Sequence, residues 1–219
     1  MKALQSIQIN RENAILVIVD VENEFCKPGG KLYSETSARI MSGVISTIHG
    51  LAKRVRGAGI PIIYIQSVRT HREPEFTVFG VEPVLKLGTW AVEIVEELKP
   101  QKGDIVVQEF SHDPFYKPNL DQVLQELVPD PMWCCAVITG GQVNVCVYHT
   151  VMGFHLRNYW TVVPVDSVYY PSDSANQRAL EQFSESGPYP NIFLSRSDLI
   201  EVSPVPAATR PVPMPAESA

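Results

Sequence analysis

The chain has 219 residues, enough for one sizeable α/β core and short for two. Its 45% hydrophobic and 19% charged content is that of a globular protein, not of a disordered or collagen-like one. Eighteen basic and 24 acidic residues give a formal charge of −6 with no basic stripe, which argues against a nucleic-acid partner.

The longest apolar run, Ala14 to Val19, is far below the roughly 20 residues of a membrane helix, so no membrane partner is expected. The opening Met1 to Ser6 lacks the apolar segment and cleavage site of a secretory signal, which makes the cytoplasm the expected compartment. Cysteines at 26, 134, 135 and 146 show neither C-x-x-C nor metal-finger spacing, and neither a disulfide framework nor a zinc site is expected. Cys134 and Cys135 sit in an apolar run and read as strand core.

Short β-rich runs alternate with helical patterns, as in βαβ units on a parallel sheet. Strands are predicted at Ile15 to Val19, Pro61 to Ile65, Asp104 to Val107, Cys134 to Thr139 and Thr161 to Val165. Between the first two lies a helix with apolar positions Ile40, Val44, Ile45, Ile48, Leu51, Ala52 and Val55, capped by Ser34 or Ser37 and stopped by Gly57 or Gly59. Further helices are predicted over Ala91 to Leu98, Asn119 to Leu127, Asn144 to Leu156 and Ser174 to Ser184. Ser67 to Thr89, with Pro74, Gly80 and Pro83, reads as a long functional excursion. A single domain over 1–202 is followed by a Pro-rich tail, 203–219, expected to be extended or disordered.

Ligands of open parallel sheets bind at the carboxyl ends of strands, which singles out Asp20, Glu109 and Cys146. Cys146 follows the Gly140-Gly141 turn in the first turn of a predicted helix, where the helix dipole favours a thiolate and free amides suit an oxyanion. The same pattern also describes phosphate sites and buried structural cysteines, Asp20 could cap a loop, and Glu22 with Glu24 could form a solvated face.

Four segments carry a family resemblance: Val17 to Phe25, Lys86 to Trp90, Asp104 to Leu124, and Thr139-Gly140-Gly141-Gln142-Val143-Asn144-Val145-Cys146-Val147. In sequence and spacing the chain resembles the isochorismatase-like cysteine hydrolases, a family that includes nicotinamidases, N-carbamoylsarcosine amidase, ureidoacrylate amidohydrolase and biuret hydrolase. The resemblance implies a three-layer α/β/α, Rossmann-like domain with a central, mostly parallel sheet. It implies a nucleophile at Cys146 that forms a thioester, a proton-transferring carboxylate at Asp20, a cis peptide at Gly141-Gln142, and an oxyanion hole from the backbone amides of Gln142 and Cys146. Homo-oligomerisation follows by the same analogy.

One position departs from the family. Counting back from Phe115, with Leu120 and Leu124 in register, the position of the usual catalytic lysine is Glu109. A second carboxylate beside Cys146 raises the thiol pKa unless Glu109 is protonated or a cation compensates. Lys117 or His112 could supply that cation, or a cationic substrate could. The metal site of nicotinamidases also lacks its residues, since Arg69 to Phe76 holds one histidine, His71, so no metal or cofactor is expected. Val143 stands where a threonine is frequent. Candidate substrate contacts are Phe25, Trp90, His112, Phe115, Gln142 and Tyr169 or Tyr170, with Gln142 the first choice for a polar contact. The expected function is an amidohydrolase acting on a small-molecule, non-peptide C–N bond. Its rivals are a silent binding member of the fold and a hydrolase in which Asp20 and Glu109 hold a hard metal ion.

Overall fold

The computed structural model describes residues 4–116, 119–128, 130–169, 172–184 and 189–203. In chain order it contains β1 (Ile7–Ile9), β2 (Ala14–Val19), α1 (Asn23–Cys26), α2 (Glu35–Gly57), β3 (Ile62–Ser67), α3 (Pro74–Thr77), β4 (Ile105–Glu109) and α4 (Asn119–Leu127). There follow β5 (Cys135–Gly141), α5 (Cys146–Leu156), β6 (Trp160–Pro164), β7 (Val168–Tyr169), α6 (Asp173–Ser184), β8 (Ile192–Ser195) and β9 (Ile200–Val202). The main sheet runs β4-β3-β2-β5-β6-β8, with β7 added on β5, and its pairings are parallel. A small parallel pair, β1 with β9, joins the two ends of the described chain.

Parallel strands covered on both faces are apolar throughout, and all six residues of β2 are buried. Alternation then sorts them by face. Leu16 and Ile18 pack with Met41, Ile48, Leu51 and Val55 of α2, while Ile15, Val17 and Val19 pack with Leu120 and Leu124 of α4, Val147 and Val151 of α5, and Phe183 of α6. The result is the three-layer α/β/α arrangement expected from the sequence.

From β2 the chain builds outward through β3 and β4, then returns to place β5 on the other side of β2. The order reverses between β2 and β5, and the splayed connections at such a reversal open a crevice at the carboxyl ends of the strands. Val19 is in register with Gly140 at that point, and Gly140 adopts a φ of 107°. A Cβ there would lie 2.0 Å from the Val19 carbonyl oxygen.

Several expectations need correction. The segment predicted as a helix over Ala91 to Leu98 forms two 3-10 turns, Trp90–Val92 and Glu96–Leu98, held by the bond from Asn23 N to Glu93 O and that from Val95 N to Val21 O. Helix α5 starts at Cys146 rather than Asn144. Strands β1, β7, β8 and β9 are too short to carry a period. Lys117, Tyr170 and nearly all of the proposed tail, 204–219, lie outside the described residues.

Gly140→Ala combines a strained positive φ with a backbone clash, and is expected to cost about 3 kcal/mol or more. Urea unfolding measures this, and an unchanged midpoint would contradict the close approach of β2 and β5.

Candidate active site

Three strand ends deliver three chemical groups to the crevice. Asp20 follows β2 directly, in a left-handed conformation (φ 49°) with its amide bonded to Ile65 O, which turns the carboxylate inward. Glu109 closes β4 in register with Ser67 of β3. Cys146 opens α5 after a turn whose Gly141-Gln142 peptide is cis. A donor atom from each of Asp20, Glu109 and Cys146 lies within 4.8 Å of the others. All three residues are buried, at 1%, 1% and 6% exposure.

The turn is fixed by its neighbours. Gly141 has no room for a Cβ because the Tyr169 ring would lie 1.7 Å away, and Val143 N donates to Tyr169 O. Val145 N and Val147 N both donate to Gln142 O, clamping the peptide that precedes the helix. As the first residue of α5, Cys146 has an N–H without an intrahelical acceptor.

The site is rich in buried acid. Glu22 is fully buried, its Oε1 accepting from Ser67 N at 2.8 Å, and Glu24 is 4% exposed, so of the alternatives open for this pair the solvated face is not what forms. Burial is the main cause that pushes the carboxyl groups of Asp20, Glu22 and Glu109 well above the usual range, and their mutual repulsion adds to it. Cys146 follows the same logic. Burial first, then Asp20 and Glu109, hold its thiol well above the ordinary value, against the lowering expected from its helix-start position. Desolvation and two adjacent carboxylates outweigh a half-charge of helix dipole.

The neighbouring cation is Arg69, which the sequence reading passed over. It is the one buried Lys or Arg among the described residues, at 1% exposure. Its Nε donates to Glu75 Oε1 at 2.9 Å, and its Nη1 to Ser67 Oγ at 3.0 Å, Val68 O at 2.9 Å and Glu109 O at 3.5 Å. Its positive charge lowers the carboxyl pKa values of Asp20, Glu22 and Glu109 without overcoming burial. A signal for it existed. Strand β3 extends to Ser67, two residues past the predicted end, and the strand-end rule that marked Asp20 and Glu109 then reaches Arg69 as well.

Cys146 faces a cavity of about 340 Å³. Phe25, His112 and Gln142 line it, as do Phe76, Val81, Val84 and Leu85 from the long excursion, with Ser67, Arg69 and Glu75 supplying polar atoms. His112 Nδ1 stands 3.6 Å from Cys146 Sγ. Two expected contacts fall elsewhere. Phe115 is core, edge-on to Phe154 at 5.2 Å and covered by the Arg157 guanidinium at 3.8 Å. Trp90 is 46% exposed and packs toward Gly29, outside this lining. His71 bonds to Val84 O through Nε2 and lies edge-on to Phe76.

Comparison with known proteins identifies the family and the fold. Residues 14–190 match the family model described as the isochorismatase domain. The chain is 32% identical over 187 residues to a ureidoacrylate amidohydrolase, RutB, from Pseudomonas savastanoi pv. phaseolicola, covering 75% of this chain and 74% of that protein. A RutB from Methylobacterium radiotolerans is 28% identical over 198 residues, 80% of this chain and 74% of its own length. Among solved structures, a cysteine hydrolase from Pseudomonas syringae pv. phaseolicola superposes with a TM-score of 0.75 at 22% identity over 90% of this chain and 94% of that one. N-carbamoylsarcosine amidase from Thermoplasma acidophilum gives 0.68 at 25% identity over 85% and 97%.

Two measurements probe the electrostatics. Alkylation of Cys146, followed by peptide mass spectrometry against pH, should inflect above the free-thiol value of about 8.5, and Glu109→Lys should bring the inflection down. An inflection below that value in the parent protein would contradict the buried-acid account. Because the Glu109 carboxyl is raised in the fold, the folded state holds a proton that the unfolded state gives up, and stability falls as pH rises from the unfolded carboxyl range of about 4 through the raised folded value. Glu109→Gln should therefore stabilise the fold more at pH 8 than at pH 5 in urea unfolding, and an equal effect at both would contradict this.

The match over most of the chain, the shared fold and the amidohydrolase relatives establish that this chain belongs to the isochorismatase family and is an isochorismatase-like hydrolase.

Proposed function

We propose that the chain hydrolyses a small amide or ureido C–N bond through an acyl-thioester on Cys146, with Asp20 as the proton carrier. The observation that carries this reading is the meeting of the Cys146 thiol with a buried carboxylate at the wall of a cavity sized for a small molecule. Asp20 takes the thiol proton as Sγ attacks the carbonyl carbon, and returns it to the nitrogen as the C–N bond breaks. The backbone N–H groups of Gln142 and Cys146 receive the oxyanion. Water, deprotonated by Asp20, then releases the acid and frees the thiol.

Glu109 takes part in its neutral form. Two carboxylates this close and this buried do not both ionise near neutrality, so one proton is held by the Asp20–Glu109 pair. A protonated Glu109 leaves a single negative charge to accept the thiol proton, much as a lysine at this position would offset one. Gln142 and His112 orient the substrate's polar atoms and Phe25 contacts its apolar part, as residues lining the cavity beside the nucleophile. The amide or ureido substrate class is supported by the RutB and N-carbamoylsarcosine amidase relatives. By family analogy the enzyme is homo-oligomeric.

Ammonia release from a panel of small ureido acids and carboxamides tests the reading. Cys146→Ala should abolish turnover, Asp20→Asn should lower it by about 10² to 10⁴, and intact-mass analysis during turnover should show Cys146 carrying the acyl group. Full activity in Cys146→Ala would overturn it. An intact fold inactive on the whole panel, with no acyl adduct, would favour a silent binding role.

A further inference from the structure

We propose that Asp20, Glu109 and Cys146, with His112 as the fourth donor, form a binding site for one zinc-class divalent cation, and that the bound ion switches the nucleophile off. The donor geometry comes first. A tetrahedral zinc site with bonds of about 2.0–2.3 Å spaces its ligand atoms about 3.3–3.8 Å apart. Cys146 Sγ and His112 Nδ1 are separated by 3.6 Å, and one donor atom from each of Asp20, Glu109 and Cys146 lies within 4.8 Å of the others.

The carboxylates are also underused. Neither oxygen of Asp20 nor of Glu109 has a hydrogen-bond acceptor or donor placed against it in ordinary geometry, although both side chains are 1% exposed. Buried polar groups left this way are rare, and a cation is one of the few partners that satisfies two of them at once. The local charge points the same way. Asp20, Glu22 and Glu109 face one buried cation, Arg69, whose Nε is already paired with Glu75.

The donor types choose the ion. One thiolate and one imidazole beside two carboxylates favour zinc or cobalt over magnesium or calcium, which take oxygen ligands. On binding, Cys146 gives up its thiol proton and the Asp20–Glu109 pair its shared proton, so two protons leave as one M²⁺ enters. The sulfur lone pair that would attack a carbonyl then lies in the metal bond. That inhibitory consequence rests on Cys146 being the nucleophile, whereas the binding site does not.

Metal-free protein titrated with Co²⁺ tests the site directly. The expected result is one ion per chain with sulfur-to-cobalt charge-transfer absorption, displaced by Zn²⁺, with release of protons. The charge-transfer absorption should vanish in Cys146→Ser, and affinity should fall by about 100-fold in Glu109→Gln. Zn²⁺ should also shield Cys146 of the unaltered protein from iodoacetamide, a readout that survives if a variant does not fold. No stoichiometric binding, binding without the sulfur absorption, or affinity unchanged in folded Glu109→Gln would each overturn the proposal. Failure of the amide panel would leave these readouts untouched, so the two readings fall separately.

Discussion

The balance of charge at the reversal point of the sheet governs the chemistry of this protein. The carboxylates of Asp20 and Glu109 and the Cys146 thiol meet at the carboxyl ends of the strands, with Glu22 buried against Ser67 nearby, and burial keeps water from screening them. Such a cluster persists only if protons, a cation or a ligand offset the negative charge. Among the described residues the fold supplies one buried positive group, Arg69, and burial, then mutual repulsion, pushes the acids and the thiol upward together. The scaffold can bear this because its two cores, one on each face of the sheet, are apolar and continuous.

Arg69 does not replace a lysine one for one. Its guanidinium is spent on Glu75, Ser67 Oγ and the Val68 carbonyl, and toward Glu109 it offers a long contact to the backbone oxygen rather than to the carboxylate. A lysine at position 109 would project its ammonium from the end of β4 into the space between Asp20 and Cys146. Arg69 instead stiffens the rim, tying the end of β3 to the excursion through Glu75 and through its backbone pairing with Leu85 and Leu87. It thereby shapes the cavity while only partly neutralising it.

Much of the fold was legible because its strands are long apolar runs and its main helices keep a clean period. Ile15 to Val19 and Cys134 to Thr139 became the two central strands, and Asn119 to Leu127 became a helix with those bounds. Position 109 comes from counting back from Phe115, and in the structure Glu109 is the last residue of β4, with a carboxylate oxygen within 4.8 Å of donor atoms of Asp20 and Cys146. Other features depend on contacts that no local pattern records. Ala91 to Leu98 has helical composition, yet its backbone bonds to Val21 and Asn23 hold it in short turns. Phe115 sits beside functional residues in sequence, but its ring finds a better partner in Phe154. For the thiol, the sequence offers both a lowering helix dipole and a raising second carboxylate, and burial, which no local pattern records, is the largest cause of the upward shift.

The long excursion after β3 ties recognition to electrostatics. Phe76, Val81, Val84 and Leu85 give the cavity an apolar wall, while Arg69 and Glu75 place a paired charge within it. A substrate bearing a carboxylate would compete with Glu75 for the guanidinium and release it, whereas one bearing a cation would be drawn instead toward Glu75 and the acids behind Cys146. In either case the ligand alters the charge felt by the thiol as it binds. On the proposed reading, the energy that recognises the substrate also sets how readily Cys146 loses its proton.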